Sequence, residues 1–126
     1  MLMNFLLVGM GSAIGGCARY GAGLLINANW RDAFPLGTFA INVMGSFAIG
    51  VLASWLSEAS ADAPENTYKL LFMVGLCGGF TTFSSFSMET LNLLRSGQTA
   101  IALGYIASSV VLCVVATAIG YSLIKH

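Results

Sequence analysis

Five basic and five acidic side chains divide this 126-residue chain into four long uncharged runs, at residues 1–18, 33–57, 70–88 and 96–124. The runs are 18, 25, 19 and 29 residues long, and a helix needs about 20 to cross the hydrocarbon of a bilayer. Polar breaks separate them: Asn27 to Asp32, Glu58 to Lys69 with Pro64, and Arg95 to Gln98. With only 8% charged residues against 57% hydrophobic ones, the chain cannot cover a water-soluble surface, which in soluble domains is supplied by about a quarter charged residues. The sequence therefore predicts one all-α integral membrane domain over residues 1–126, with spans near 3–27, 36–57, 69–94 and 99–123. The first span runs on through Arg19. It has no positive n-region ahead of it and is long for the apolar core of a secretory leader, so it reads as a span.

The third run carries the anomaly. Gly75-Leu76-Cys77-Gly78-Gly79-Phe80-Thr81-Thr82-Phe83-Ser84-Ser85-Phe86-Ser87 holds three glycines, two threonines and three serines at membrane depth. Each glycine lowers helix stability by roughly 1 kcal/mol relative to alanine. Irregular backbone in hydrocarbon survives only where protein buries it or where it lines a cavity, so the segment predicts a helix break beside a pore or binding site. Carbonyls freed there can face a cation, and Thr81 or Thr82 can cap the restarted helix. A helix N-terminus carries partial positive charge, which suits an anion. Phe80, Phe83 and Phe86 recur every three residues, and aromatic ring edges are positive; packing or lipid contact is the alternative use for them. Thr82, Ser85 and Glu89 form one polar stripe after the break, with Ser84 and Ser87 beside it.

Other polar groups in the spans have two readings each. Asn42 is either a pore residue or an interhelical hydrogen-bonding group. Arg19 either snorkels to the interface or makes an electropositive vestibule. Glu89, the only acid predicted inside a span, is either a proton carrier or a hydrogen-bonding anchor. Tyr105, Ser108 and Ser109 share a face of the fourth span and either line a path or bond a neighbouring helix. Cys17, Cys77 and Cys113 have no paired spacing and read as small packing residues. Small residues four apart, Gly11 and Gly15, Ser46 and Gly50, Gly75 and Gly79, favour close helix contacts.

Several classes are excluded. The net charge is zero and no basic stripe exists to neutralise phosphates, which excludes a nucleic-acid partner. No nucleophile–histidine pair, metal-ligand cluster or phosphate loop is present, so no enzyme is expected. Four spans put both termini on one side with Lys69 and Lys125, and put Arg31 and Arg95 on the other. Such a balance leaves the positive-inside rule undecided, which predicts dual topology. Four helices barely enclose a polar path, so an oligomer with its pathway at the subunit interface is expected.

The residues resemble the Fluc family of fluoride channels, also called CrcB proteins. Three motifs carry the resemblance: Gly15-Gly16-Cys17-Ala18-Arg19-Tyr20, Gly37-Thr38-Phe39-Ala40-Ile41-Asn42 with Gly45-Ser46, and the glycine–threonine–phenylalanine segment of the third span. Ser85 stands where the resemblance leads one to expect threonine in many relatives, and the hydroxyl is retained. The resemblance implies an antiparallel homodimer with two pores, in a bacterial inner membrane, that lets fluoride leave the cell passively and protects it from fluoride toxicity. It implies that Phe83 and Phe86 present ring edges to fluoride and that Asn42 is a pore residue. Backbone carbonyls of Gly78 and Thr81, from both subunits, would hold a structural sodium ion at the dimer centre. Ser84, Ser87, Thr38 and Glu89 would form a hydroxyl-rich route, with Tyr105 and Ser109 on the fourth-helix wall and Arg19 in a vestibule or structural role.

The alternatives are a proton-coupled exchanger, of fluoride or of the small multidrug type, and a non-transporting membrane scaffold. The multidrug type needs an acid in the middle of its first span, and none is there. A scaffold explains the small-residue contacts but not the polar break.

Overall fold

The computed structural model describes residues 1–58 and 65–124. Pro64 and Lys125, which entered the reading of loops and charge, lie outside them. The described chain is all-helical. It runs as α1 (Leu2–Asn27), α2 (Leu36–Glu58), α3 (Glu65–Tyr68), a π-helical stretch (Lys69–Cys77), α4 (Gly78–Phe80), α5 (Phe83–Arg95) and α6 (Thr99–Ser122). Four segments are long and apolar enough to cross a membrane: Leu2–Asn27, Leu36–Ser57, Lys69–Arg95 and Thr99–Ser122.

The helices pair out of chain order. α1 packs on the π-helical stretch and α4, while α2 packs on α6, and lighter contacts join the two pairs. Small residues set both seams. A Cβ on Gly11 would overlap the Leu71 carbonyl, one on Gly15 the Leu76 carbonyl, and one on Gly75 would stand 2.9 Å from the Gly11 Cα. In the second pair, a Cβ on Gly50 would overlap the Thr117 carbonyl, and one on Gly120 the Phe47 carbonyl. Thr117 Oγ1 crosses that seam to donate to the Ser46 carbonyl at 3.0 Å. Backbones approach this closely only where no side chain intervenes, and dispersion over the shared surface then holds the helices without help from water.

The turn from α5 to α6 follows from one residue. Gly97 takes φ +80°, a left-handed conformation that glycine adopts without a Cβ penalty. Gln98 N–H then donates to the Leu93 carbonyl at 2.9 Å and Gly97 N–H to that of Leu94 at 3.1 Å, which satisfies carbonyls left over at the helix end. The reversal lays α6 against α5 and brings Tyr105 over Leu93. Tyr105, Ala102 and Leu93 form a buried cluster ringed by Phe34, Phe39, Phe86 and Ile101. Elsewhere large apolar side chains such as Phe5, Leu25, Leu103 and Val114 stand exposed, as lipid-facing helix surfaces do.

Candidate functional site

Helical backbone ends at Phe80 and resumes at Phe83. Thr81 has φ −82° and ψ 156°, and Thr82 φ −149° and ψ 113°, both extended. The last rung before the junction is Thr81 N–H to the Cys77 carbonyl at 3.0 Å, and the Thr81 hydroxyl donates to the same carbonyl at 2.9 Å. The next amide turns away. Thr82 N–H donates to Asn42 Oδ1 at 2.8 Å, and Asn42 Nδ2 donates to the Thr82 carbonyl at 3.0 Å. One side-chain amide thus serves both backbone groups of Thr82, as a neighbouring strand would. Thr82 then caps α5, its hydroxyl accepting from Ser85 N–H at 3.2 Å. Of the two capping threonines open on sequence grounds, Thr82 takes the role.

These bonds leave carbonyls without their helical donors. The Thr82 amide that would reach the Gly78 carbonyl is held by Asn42, and the Ser85 amide that would reach that of Thr81 is held by the cap. The Gly79 carbonyl accepts instead from Arg19 Nε at 3.2 Å, so the α1 guanidinium braces the chain just before the junction.

A cleft of about 400 Å³ opens at this point, and Asn42, Thr82, Phe83, Phe86 and Ser109 are among the residues that line it, together with Gly78 and Thr81. The Phe83 and Phe86 rings are tilted at 45° with centroids 5.3 Å apart, and Phe83 is 77% exposed. Ser109 is 7% exposed, and its hydroxyl has no hydrogen-bond partner among the described residues.

A second cluster surrounds Glu89. Thr38 Oγ1 donates to Oε1 and Tyr105 OH to Oε2, each at 2.7 Å. Its hydrogen-bond partners among the described residues are these two hydroxyls. Thr38 also faces a chamber of about 180 Å³ with Arg19, Thr82 and Ser85. Glu89 faces another, of about 490 Å³, beneath the α1–α2 turn with Asn27, Trp30, Phe34 and Asn92. Thr38 and Glu89, bonded to each other, line different chambers, and Asn27 lines both.

The structure therefore gathers Asn42, Phe83, Phe86, Ser109, Gly78 and Thr81 at one cleft, and Thr38, Glu89 and Tyr105 in one hydrogen-bonded cluster. Arg19 sits in the small chamber. Ser84 and Ser87 lie apart, on the exposed side of α5: Ser84 meets the Thr82 hydroxyl at 3.2 Å and Ser87 donates to the Phe83 carbonyl at 2.9 Å. Ser108 donates to the Gly104 carbonyl of its own helix at 2.6 Å. Sequence reasoning offered Thr82 as a cap without giving it a pore role, and did not place Asn27 or Phe34 in the site. The signal for Thr82 was its position at the head of the polar stripe. Asn27 and Phe34 carry none, because only the fold returns the α1–α2 turn to Glu89.

Residues 6–121 match the family model described as CrcB-like protein, Camphor Resistance (CrcB). Three curated relatives each bear the name fluoride-specific ion channel FluC. That of Methylocella silvestris is 44% identical over 94% of this chain and 91% of its own length. That of Methylobacterium radiotolerans is 45% identical over 96% and 84%, and that of Methylobacillus flagellatus is 44% identical over 98% and 96%.

Proposed function

This chain belongs to the CrcB-like family, and on that ground we propose that it is a fluoride-specific channel through which the anion leaves the cell passively. It is a multi-pass bacterial membrane protein and not an enzyme. The observation that carries the reading is the cleft at the Thr82 junction, where Phe83, Phe86, Asn42 and Ser109 converge beside the start of α5. Fluoride holds its water tightly, so a selective pathway must replace that water with hydroxyl and amide donors and positive ring edges. None of these carries a full charge, so the ion is admitted without being trapped. The unpartnered Ser109 hydroxyl is a donor of this kind.

The pathway is completed in an antiparallel homodimer. The balanced charges flanking the spans allow both insertions, and the cleft is open on one copy, with Phe83 largely exposed, so a second copy can close it. The third span is broken at Thr81 and Thr82. The carbonyls of Gly78 and Thr81, freed of their helical donors, are hard oxygen ligands of the type sodium takes, and this supports a structural sodium ion at the dimer centre. When bound, that ion supplies fixed positive charge to the broken backbone. Thr38, Glu89 and Tyr105 form an anchored polar wall, Ser84 and Ser87 add hydroxyls along α5, and Arg19 makes the vestibule electropositive.

Purified protein in liposomes loaded with fluoride or chloride tests the reading by ion-selective electrode. Fluoride is expected to leave rapidly, with chloride retained and with flux unchanged when the proton gradient is collapsed. Flux that stops on that collapse would favour an exchanger, and absence of flux from folded protein would favour a scaffold. Phe83→Ile and Phe86→Ile keep apolar bulk but remove the ring edge, and each is expected to lower fluoride flux at least tenfold with the elution profile unchanged. Wild-type flux in both would refute the ring-edge mechanism.

A further inference from the structure

The α1–α2 turn reaches the Glu89 cluster through one aromatic side chain. Phe34 is half-buried, and its ring meets that of Tyr105 edge to face, with centroids 5.4 Å apart and planes at 81°. Phe86 meets the same tyrosine at 5.0 Å and 51°. Tyr105 is fully buried, and its hydroxyl ends on Glu89 Oε2 at 2.7 Å. A ring flanked by two others has little freedom to turn about χ1 or χ2, and its hydroxyl is correspondingly fixed.

Phe34 is itself held. Trp30 Nε1 donates to the Phe34 carbonyl at 2.7 Å, and Leu36 N–H donates to the same oxygen at 2.8 Å. The Phe39 ring packs on Phe34 edge to face at 5.3 Å and 71°. A tryptophan and the first amide of α2 thus fix the backbone of a residue outside any helix, and Phe39 fixes its ring. Phe86, which flanks Tyr105, reaches the cleft, whereas Phe34 lines the chamber under the turn. Tyr105 stands between them.

We propose that Phe34 is a positioning residue for conduction: it holds the Tyr105 ring where its hydroxyl meets Glu89, which ties the α1–α2 turn to the polar wall of the fluoride pathway. The inference rests on the channel reading. Without Phe34 the tyrosine gains room toward the chamber beneath the α1–α2 turn, its hydroxyl no longer stays on Oε2, and Glu89 keeps only the Thr38 donor.

The test is a double-mutant cycle on fluoride efflux from liposomes, with Phe34→Ala, Tyr105→Phe and the pair. Phe34→Ala and Tyr105→Phe are each expected to lower flux about tenfold. The pair is expected to lie within about twofold of Tyr105→Phe alone, because no hydroxyl then remains to be misplaced. Residues that act independently would multiply their losses instead, so a pair near a hundredfold down overturns the proposal, as does wild-type flux in Phe34→Ala. Phe34→Tyr keeps the ring and is expected to retain flux; loss in that variant at normal expression and elution also counts against it. Should Phe34→Ala fail to fold, Phe34→Leu fills the apolar volume without a flat ring and takes its place in the cycle. Wild-type protein that passes no fluoride removes the channel reading itself, an outcome distinct from any pattern among the variants.

Discussion

Asn42→Ala protein is expected to lose fluoride flux by at least a hundredfold while still eluting as a folded species. In the native chain the amide holds both the N–H and the C=O of Thr82. Truncation strands both groups at membrane depth, at roughly 1–3 kcal/mol for each that stays unsatisfied. The chain can relieve that cost by returning Thr82 N–H to the Gly78 carbonyl, which closes the break into continuous helix and takes away the cleft. Asn42→Asp separates the roles of the amide. It keeps an acceptor for Thr82 N–H but loses the donor to the Thr82 carbonyl, and when ionised it places negative charge on an anion's route. It is expected to remain folded and to be as inactive as the alanine variant. Hydrogen exchange at Thr82 reports the junction directly, since an amide drawn into a continuous helix exchanges more slowly. Near-native flux in Asn42→Ala would mean that the junction stands without its clamp.

The second large effect is on folding. Gly15→Ala adds one carbon that would overlap the Leu76 carbonyl oxygen and lie 2.8 Å from the Phe80 amide nitrogen. Both neighbours are backbone, so the added atom can be housed only if the helices separate, and overpacking of this kind costs about 1–3 kcal/mol or more. Gly15→Ala is expected to lower the thermal midpoint in detergent by several degrees and to broaden the elution profile. Gly16→Ala, the same change one residue on, meets nothing within 4 Å. It should hold or raise the midpoint, since alanine favours helix over glycine by up to about 1 kcal/mol. Equal midpoints for the two variants would show that the seam between α1 and the third span contributes little.

Much of this was legible in the chain. Charge placement alone marks four spans, because a charged side chain is costly in hydrocarbon and gathers at the ends. The four-residue repeats of Gly11 and Gly15 and of Gly75 and Gly79 signal close contact, although a repeat does not name its partner. The polar third span announces an irregularity, and its hydroxyls offer caps, but choosing Thr82 over Thr81 requires knowing where Asn42 stands. Asn42 bonds from α2 to Thr82 at the junction and lines the cleft as well, a placement that only the fold supplies. Glu89 looks like an isolated acid until the fold delivers Thr38 from α2 and Tyr105 from α6, contacts 51 and 16 residues away in sequence. Ser84 and Ser87 resemble Ser85 in composition, yet helical rotation sends them to the exposed side. Phe34 is beyond any periodicity, since it belongs to no helix.

The crossed pairing of helices has a consequence for synthesis. As the chain emerges, α1 cannot find its close-packed partner until the third span arrives, and α2 waits for α6, the fourth span. No adjacent hairpin is a finished unit, because the glycine seams join first to third and second to fourth. The first two spans therefore meet lipid before they meet their mates, which suits spans apolar enough to rest in a bilayer alone. The seam of the second pair cannot close until the fourth span is made, and a chain stopped before α6 leaves the Gly50 face of α2 without the Thr117 backbone it packs against.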